Sequence, residues 1–471
     1  MDLSNLPDNV LLDILDKLDT REAVRCSVLS RRWRRVPGML PNIELDVDSF
    51  TPDHDDGFTS TLSDDARNSY AMVSAVQSLL SHESRHDIRR LDLSFFSREE
   101  SVGIIHAIDD AMARGRSIQD LRFVVLSEKS FLERPHKDRV KQGRRLLHCF
   151  DAYPRVFVGL TRLHLESVTV HGPRFSDLIA ACEQLIKLCL VYCDFGKETT
   201  LTIRHEHLST IDLEFCACYT IELEWLPKLA ELSIAVWPWT SHEYPLVVGH
   251  APRLRLLDLS HAGMVNSKIL RLSKLLDNTT NLQELWLNFE TEKVWIQPET
   301  PKHLAPFMRN LTLVDVHRIH PNCGINWTLF LLEAAPLLKT LSISVTDHLC
   351  VPVEEELIKR FVICKKSNIN WEPSDFKHSN LSKLTIHGFQ PNNIFMGYIR
   401  RVMKAAMNLE EILLHDDWCE DCEFYYPVTR YPQTKIERDL VKKAINGGIT
   451  SPIKSIQFFH TSEAGTINII D

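Results

Sequence analysis

Leu160-Thr161-Arg162-Leu163-His164-Leu165 is the stretch from which the rest of the chain can be read. Apolar residues stand at its first, fourth and sixth places, and the last two flank a polar residue, as in a strand with one buried face. The phrase returns as Leu185-Ile186-Lys187-Leu188-Cys189-Leu190, Leu208-Ser209-Thr210-Ile211-Asp212-Leu213 and Leu229-Ala230-Glu231-Leu232-Ser233-Ile234. Ile88-Arg89-Arg90-Leu91-Asp92-Leu93 precedes these copies, and residues 254–259, 282–287, 311–316, 338–343, 381–386 and 409–414 repeat the pattern after them. Between Leu163 and Leu341 the period is 21 to 29 residues. A single copy cannot bury its apolar strand face alone, so the copies must stack side by side over a common core.

That period is the range of leucine-rich repeats, and the expected architecture is an α/β solenoid. The longer step from Leu341 to Leu384 implies an insertion, and Ile118-Gln119-Asp120-Leu121 reads as a degenerate copy. If the Leu and Ile positions point inward, the residues between them line the concave, solvent-facing side. These include Asp92, Glu166, Asp212, Glu214 and Asp258, together with Trp286 and the histidines at 164, 317, 387 and 415. The expectation is a negatively charged strip beside Trp286 that holds a Lys/Arg-containing segment of a target protein. Lysine and arginine are missing from the strand positions so assigned.

The N-terminus has a different period. Leu6-Pro7-Asp8-Asn9-Val10-Leu11-Leu12-Asp13-Ile14-Leu15 places Val10, Leu11, Ile14 and Leu18 on one helical stripe, with Pro7 suited to a first turn. Asp19 and Glu22 have capping-box spacing for a second helix carrying Val24 and Val28. Ser30 can cap a third around Trp33, ended by Pro37-Gly38. So small a unit carries more apolar residues than it can bury by itself, which suggests a docking surface.

The segment resembles the F-box of plant F-box proteins, on its Leu6-Pro7-Asp8 start and its Val28-Leu29-Ser30-Arg31-Arg32-Trp33 close. The resemblance implies binding to a Skp-family adaptor and, through it, to cullin and RING subunits. It implies that Leu6, Pro7, Val10, Leu11, Ile14, Leu18, Val24, Val28 and Trp33 contact that adaptor. The whole chain would then be the substrate-recognition subunit of an SCF-type ubiquitin ligase, tethering a target rather than performing bond chemistry itself. A non-degradative scaffold remains open. So does a hormone co-receptor of the same family, though the lack of cations at the assigned concave positions argues against it.

The expected domains are an F-box at 1–40, a linking region at 41–87, repeats at 88–407 and a C-terminal region at 408–471. In the linking region, 43–47 reads as a strand, 48–67 as a solvated acidic loop and 70–81 as an amphipathic helix. In the last region, residues 398–403 and 435–441 read as helices, with Gly447-Gly448 after the second and a strand at 449–458. This order resembles the FBD-type ending of plant F-box/leucine-rich-repeat proteins.

A net charge of −9 argues against a general nucleic-acid binder. No apolar run approaches the roughly 18 residues of a membrane span, and Asp2 and Asp8 flank the early apolar residues, so neither membrane span nor signal peptide is expected. The expected location is cytoplasmic or nuclear. The 12 cysteines fit reduced thiols in core positions. Cys419-Glu420-Asp421-Cys422 is a single C-x-x-C pair and too little for a zinc site. No metal, cofactor or catalytic group is expected.

Overall fold

Each repeat begins as a strand because its alternating Leu, Ile and Val side chains find the same row of the neighbouring copy under them. The computed structural model describes residues 6–15, 17–26, 36–50, 62–81, 87–129, 135–236, 245–261, 269–289, 294–346, 371, 374–416, 431–447, 455–461 and 467–470. The chain divides into two units, Met1–Leu226 and Pro227–Asp471.

The first unit opens with helices α1 (Asp8–Leu15) and α2 (Thr20–Arg25) and a 3-10 turn at Val36–Met39. Strand β1 (Asn42–Asp46), helix α3 (Leu62–Ser81), β2 (Ile88–Phe96), α4 (Val102–Ala113) and β3 (Ile118–Leu126) follow. Then come α5 (His136–Ala152), α6 (Pro154–Val158), β4 (Leu160–Glu166), α7 (Gly172–Ala181), β5 (Lys187–Val191), β6 (Asp194–Arg204) and β7 (Thr210–Trp225). Strands β1, β2, β3, β4, β5 and β7 pair in parallel. Leu45, Leu93, Phe123, Leu163, Leu188 and Ile211 form one core row through them, none more than 4% exposed. Burying each such side chain is worth roughly 1.5–3 kcal/mol, so the row is a main source of cohesion.

The second unit contains β8 (Glu231–Val236), β9 (Leu246–His250), β10 (Leu256–His261), α8 (Leu272–Leu275), β11 (Glu284–Asn288), α9 (Pro301–Met308) and β12 (Leu313–Ile319). It continues with α10 (Leu329–Ala334), β13 (Thr340–Val345), β14 (Lys383–His387), α11 (Asn393–Ala405), β15 (Glu411–His415), α12 (Lys435–Asn446), β16 (Ser455–Thr461) and β17 (Ile467–Ile470). Strands β8 and β10 to β16 form a parallel ladder, and β17 returns antiparallel to β16. Leu232, Leu257, Leu285, Val314, Leu341, Leu384 and Ile412 make its fully buried central row. Helix α12 starts with a full capping box, in which Thr434 and Glu437 satisfy each other's backbone N–H groups.

Helix α3 and strand β7 differ from the sequence expectation, whereas the copy at 118 is present. Helix α3 begins at Leu62, within the stretch read as a solvated loop. Its first turns are polar, but Asp64 and Asp65 favour a helix N-terminus, and Asp65, Asn68 and Ser69 are buried. The degenerate copy expected at 118 is a full ladder strand, β3, whose Phe123 and Val125 stand opposite Leu163 and Leu165 of β4. After Glu214, strand β7 continues to Trp225 and pairs there in parallel with β6, a second sheet that the repeat pattern gave no reason to expect.

A recurring turn ends the ladder strands. Ser167, Tyr192, Phe215 and Gly388 follow β4, β5, the ladder part of β7 and β14, with φ of 53°, 53°, 49° and 69°, and Arg318, φ 54°, sits at the register shift near the end of β12. This left-handed step costs a non-glycine residue about 1–2 kcal/mol. It sends the next side chain back into the core: Val168, Cys193, Cys216, Ile319 and Phe389 are all buried.

Candidate functional site

Among the described residues, two surfaces carry the predicted contact positions: the exposed side of α1 and the open faces of the strand ladders. In α1 the predicted apolar stripe divides. Leu11 and Leu15 are fully buried, whereas Ile14 is 36% and Leu18, just past the helix, 37% exposed. Pro7 is exposed and Leu6 and Val10 are half-buried. Leu11, expected on the docking stripe, therefore belongs to the core of this small unit: consecutive helical residues sit about 100° apart, so Val10 and Leu11 cannot share one narrow face. Val24 lies within α2, while Val28 and Trp33 fall outside the described residues.

The helices are fixed to the ladder behind them. Asp19 Oδ1 accepts the Glu22 N–H at 2.7 Å, one half of the expected capping box. Thr20 Oγ1 accepts the Glu44 N–H of β1 at 3.0 Å. Arg116, 7% exposed, donates to the Gly38 carbonyl at 2.6 Å and to the Leu79 carbonyl at 3.1 Å, and Arg114 donates to the Leu80 carbonyl at 3.1 Å. These arginines close the C-terminal end of α3, whose last carbonyls lack helical partners. One side chain, Arg116, thus joins the end of the helical segment, α3 and the turn before β3.

On the open face of the first unit, Asp92, Glu166, Asp212 and Glu214 all point outward and are half-buried. They do not stand on consecutive strands. Arg122 of β3 lies between Asp92 and β4, hydrogen-bonded to Asp92 at 3.4 Å and to Asp120 at 2.5 Å. Cys189 and Val191 of β5 separate Glu166 from Asp212 and Glu214. A hydrogen bond from His164 at 3.1 Å holds Glu166 below the usual carboxylate range, assisted by the Ser127 N–H. Burial pushes the Asp212 carboxyl up, and burial with the charges of Asp212 and Glu214 pushes the Cys189 thiol up to about 12. Cys189 is therefore protonated and a poor nucleophile at neutral pH.

In the second unit Asp258, Trp286 and Asp315 are register partners on three consecutive strands, β10, β11 and β12. His317 lies 3.1 Å from Asp315, with its ring 6.3 Å from that of Trp286. Burial disfavours both charges, yet their mutual hydrogen bond and attraction lower the Asp315 pKa and raise that of His317. Next in this ladder, His387, His415 and Phe459 stack across β14, β15 and β16 at centroid spacings of 4.3 and 4.5 Å. Among the described residues no group of three or more His, Cys, Asp or Glu is arranged to hold a metal ion. Cys419 and Cys422 lie outside them. No helix of the described residues is long and apolar enough to cross a membrane.

The At1g61320/AtMIF1 leucine-rich-repeat domain family matches residues 147–446, more than half of the chain, and the F-box domain matches residues 3–43. The chain belongs to the F-box/leucine-rich-repeat family. Its relatives include three Arabidopsis thaliana proteins. F-box/LRR-repeat protein At4g14103 is 26% identical over 40% of this chain and 49% of its own length. F-box/LRR-repeat protein At4g14096 is 23% identical over 75% of this chain and 77% of its own. F-box/FBD/LRR-repeat protein At1g80470 is 28% identical over 45% of this chain and 44% of its own. The chain thus spans about half the length of the first and third of these relatives.

Two features of this F-box/leucine-rich-repeat chain escaped the sequence reading. One is the row of side chains that leads each strand: Arg162 and Lys187 face outward too, and carrying the in-out alternation one step back from Leu163 and Leu188 would have found them. The other is a pair of buried histidines three residues before a repeat leucine. His205 Nε2 donates to the Cys182 carbonyl at 2.9 Å while its Nδ1 accepts the N–H groups of His207 and Leu208, both at 3.0 Å. His378 does the same in the second unit, donating to the Ala335 carbonyl at 2.9 Å and accepting from Asn380 and Leu381 at 3.3 and 3.0 Å. Two accepted N–H groups leave Nδ1 without a proton, so both rings are neutral, and burial lowers both pKa values. The shared H-x-x-L spacing was the available signal.

Proposed function

We propose that the chain is the substrate-recognition subunit of an SCF-type ubiquitin ligase, holding a Skp-family adaptor at its F-box and a target protein on its repeat strands. The observation that carries this reading is the match to an F-box, together with an apolar pair, Ile14 and Leu18, left exposed on it. Large aliphatic side chains held open by a folded unit are anchors for a partner. Leu6, Pro7 and Val10 extend that surface. The mechanism is tethering, which raises the effective concentration of the target near a charged ubiquitin-conjugating enzyme. The chain performs no bond chemistry of its own, and the assembly acts in the cytoplasm or nucleus.

The target meets the outward residues of the ladders. In the second unit, Asp258 and Asp315 flank Trp286 and suit a cationic side chain laid against the indole, while Asp92, Glu166, Asp212 and Glu214 shape the face of the first.

Co-precipitation tests the reading. Ile14→Glu with Leu18→Glu should abolish recovery of the adaptor and of cullin while leaving the melting temperature unchanged, because both positions are exposed. Leu11→Ala should instead weaken the F-box fold by about 2–5 kcal/mol. Undiminished adaptor recovery by the double variant would reject the docking surface. Mass spectrometry of captured proteins under proteasome inhibition would then identify the target.

A further inference from the structure

The outward cations of the first unit fall into two groups. Arg90 lies 3.5 Å from Asp120, and Arg122 is hydrogen-bonded to both Asp120 and Asp92. Arg162 of β4 and Lys187 of β5 come next. They are register partners on adjacent parallel strands, both exposed, and neither has a carboxylate within 4.0 Å among the described residues. Asp120 and Asp212 act on them only from farther away. Adjacent strands are about 4.8 Å apart, and like charges placed directly opposite oppose the pairing that holds the strands together. The ladder thus balances its cations as far as β3 and leaves the next two facing the same open space. Arg122 and Arg162 are themselves register partners, so the potential at this point comes from three neighbouring cations, of which one is neutralised.

We propose that Arg162 and Lys187 form a subsite for an acidic side chain, Asp or Glu, of an extended peptide segment of the target. A carboxylate placed between them turns a repulsive pair into an alternating one. The Arg162 guanidinium offers two parallel N–H donors to its oxygens and the Lys187 ammonium a third, movable one. The far end of this part of the ladder is anionic: Glu166 lies four residues beyond Arg162 on β4, about 13 Å at 3.3 Å per residue, and Glu214 of β7 is the register partner of Val191, four residues beyond Lys187. The segment therefore has a direction, its acidic residue at the strand beginnings and a basic or neutral residue at their ends. This proposal rests on the reading of the repeats as the target-holding part, and it assigns to the first unit a charge preference opposite to that of the Asp258–Trp286–Asp315 row.

Fluorescence anisotropy on the full chain tests it, using a fluorescein-labelled decapeptide with four central Glu residues and a Lys-containing peptide of equal length. The Glu peptide should bind, with affinity falling several-fold between 50 and 300 mM salt. Arg162→Glu with Lys187→Glu should weaken it at least tenfold, whereas Lys197→Glu, an exposed cation on β6, should leave it unchanged. Both variants should keep the wild-type melting temperature, since all three positions are exposed. Glu-peptide binding that is absent, or equally strong in the double variant, overturns the proposal. Stronger binding of a single-stranded RNA 12-mer or of phosphatidylserine vesicles to the same two residues overturns it as well, in favour of a different polyanion. Adaptor co-precipitation measured on the same preparations keeps the two readings apart, because its loss rejects the ligase role without touching the peptide result.

Discussion

His205 and His378 do in a side chain what the backbone does elsewhere in the ladder. In the repeats at 185, 254, 311 and 338 the leading leucine N–H bonds the carbonyl three residues back, whereas Leu208 and Leu381 bond an imidazole nitrogen instead. Through its other nitrogen, each ring reaches the equivalent position of the preceding repeat. His205→Ala strands two N–H groups and removes a bond to Cys182, so it should cost about 2–4 kcal/mol by urea denaturation. His207→Ala, at an exposed position, should cost less than about 1 kcal/mol. Equal costs would remove the clamp from the account. Neutral buried histidines also make stability depend on pH. Burial, with the charges of His387 and Lys383, lowers the His415 pKa to about 4, against about 6.5 for a free imidazole. The unfolded chain then takes up a proton the folded one refuses, so stability is complete above pH 6.5 and falls as pH drops toward 4. His317, with a raised pKa, works in the opposite direction. His415→Phe keeps a ring between His387 and Phe459 and should flatten the decline of the urea midpoint between pH 6.5 and 4 relative to the native chain. These roles were not legible in the sequence, because a histidine in a turn looks the same whether it is solvated or clamped.

At the scale of elements, strands were far easier to read than what joins them. Every copy of the leucine pattern is a ladder strand, because a period-2 apolar face has one way to be buried and its register follows. Helix α3 begins eight residues before the expected 70–81 stretch, since its first turns are polar and carry no apolar stripe although Asp65, Asn68 and Ser69 are buried. Strand β6 and the far half of β7 take a place that a repeat can also fill with a helix, and local alternation does not choose between them. The outward acidic residues lie in two rows, and Arg162 and Lys187 lie in a third, one step before the leucines that mark each copy. Arg116 is the element-scale joint. Arg116→Ala leaves the Gly38 and Leu79 carbonyls unsatisfied in a buried setting and should lower the melting temperature. It should also speed hydrogen exchange in 36–46 and 72–81 while sparing β4 and β5. Uniform exchange changes across the first unit would mean that Arg116 is general packing and not a joint.

Over the whole molecule, stability is a sum of repeats and the contacts between neighbours, so a break in one row propagates along its ladder. Leu213→Asp and Leu259→Asp, at positions 1% and 0% exposed, put a charge into the core and should each destroy cooperative unfolding of their unit, seen by circular dichroism. Asp212→Asn should leave the first unit as stable or more so, because burial already disfavours the charge it removes. Comparable damage from Asp212→Asn and Leu213→Asp would invert the inside and outside of the ladder.

The bond from the Glu44 amide to Thr20 Oγ1 gives the F-box a second duty. Strand β1 pairs with β2 on one side. On the other, an amide that would otherwise invite a foreign strand is occupied by α2, a guard of the kind sheets need at their margins. A truncation that begins after the F-box is therefore not simply the same protein without its F-box. It bares a sheet margin, and its effects would mix loss of the F-box surface with self-association. Surface substitutions at Ile14 and Leu18 keep the guard in place and separate the two.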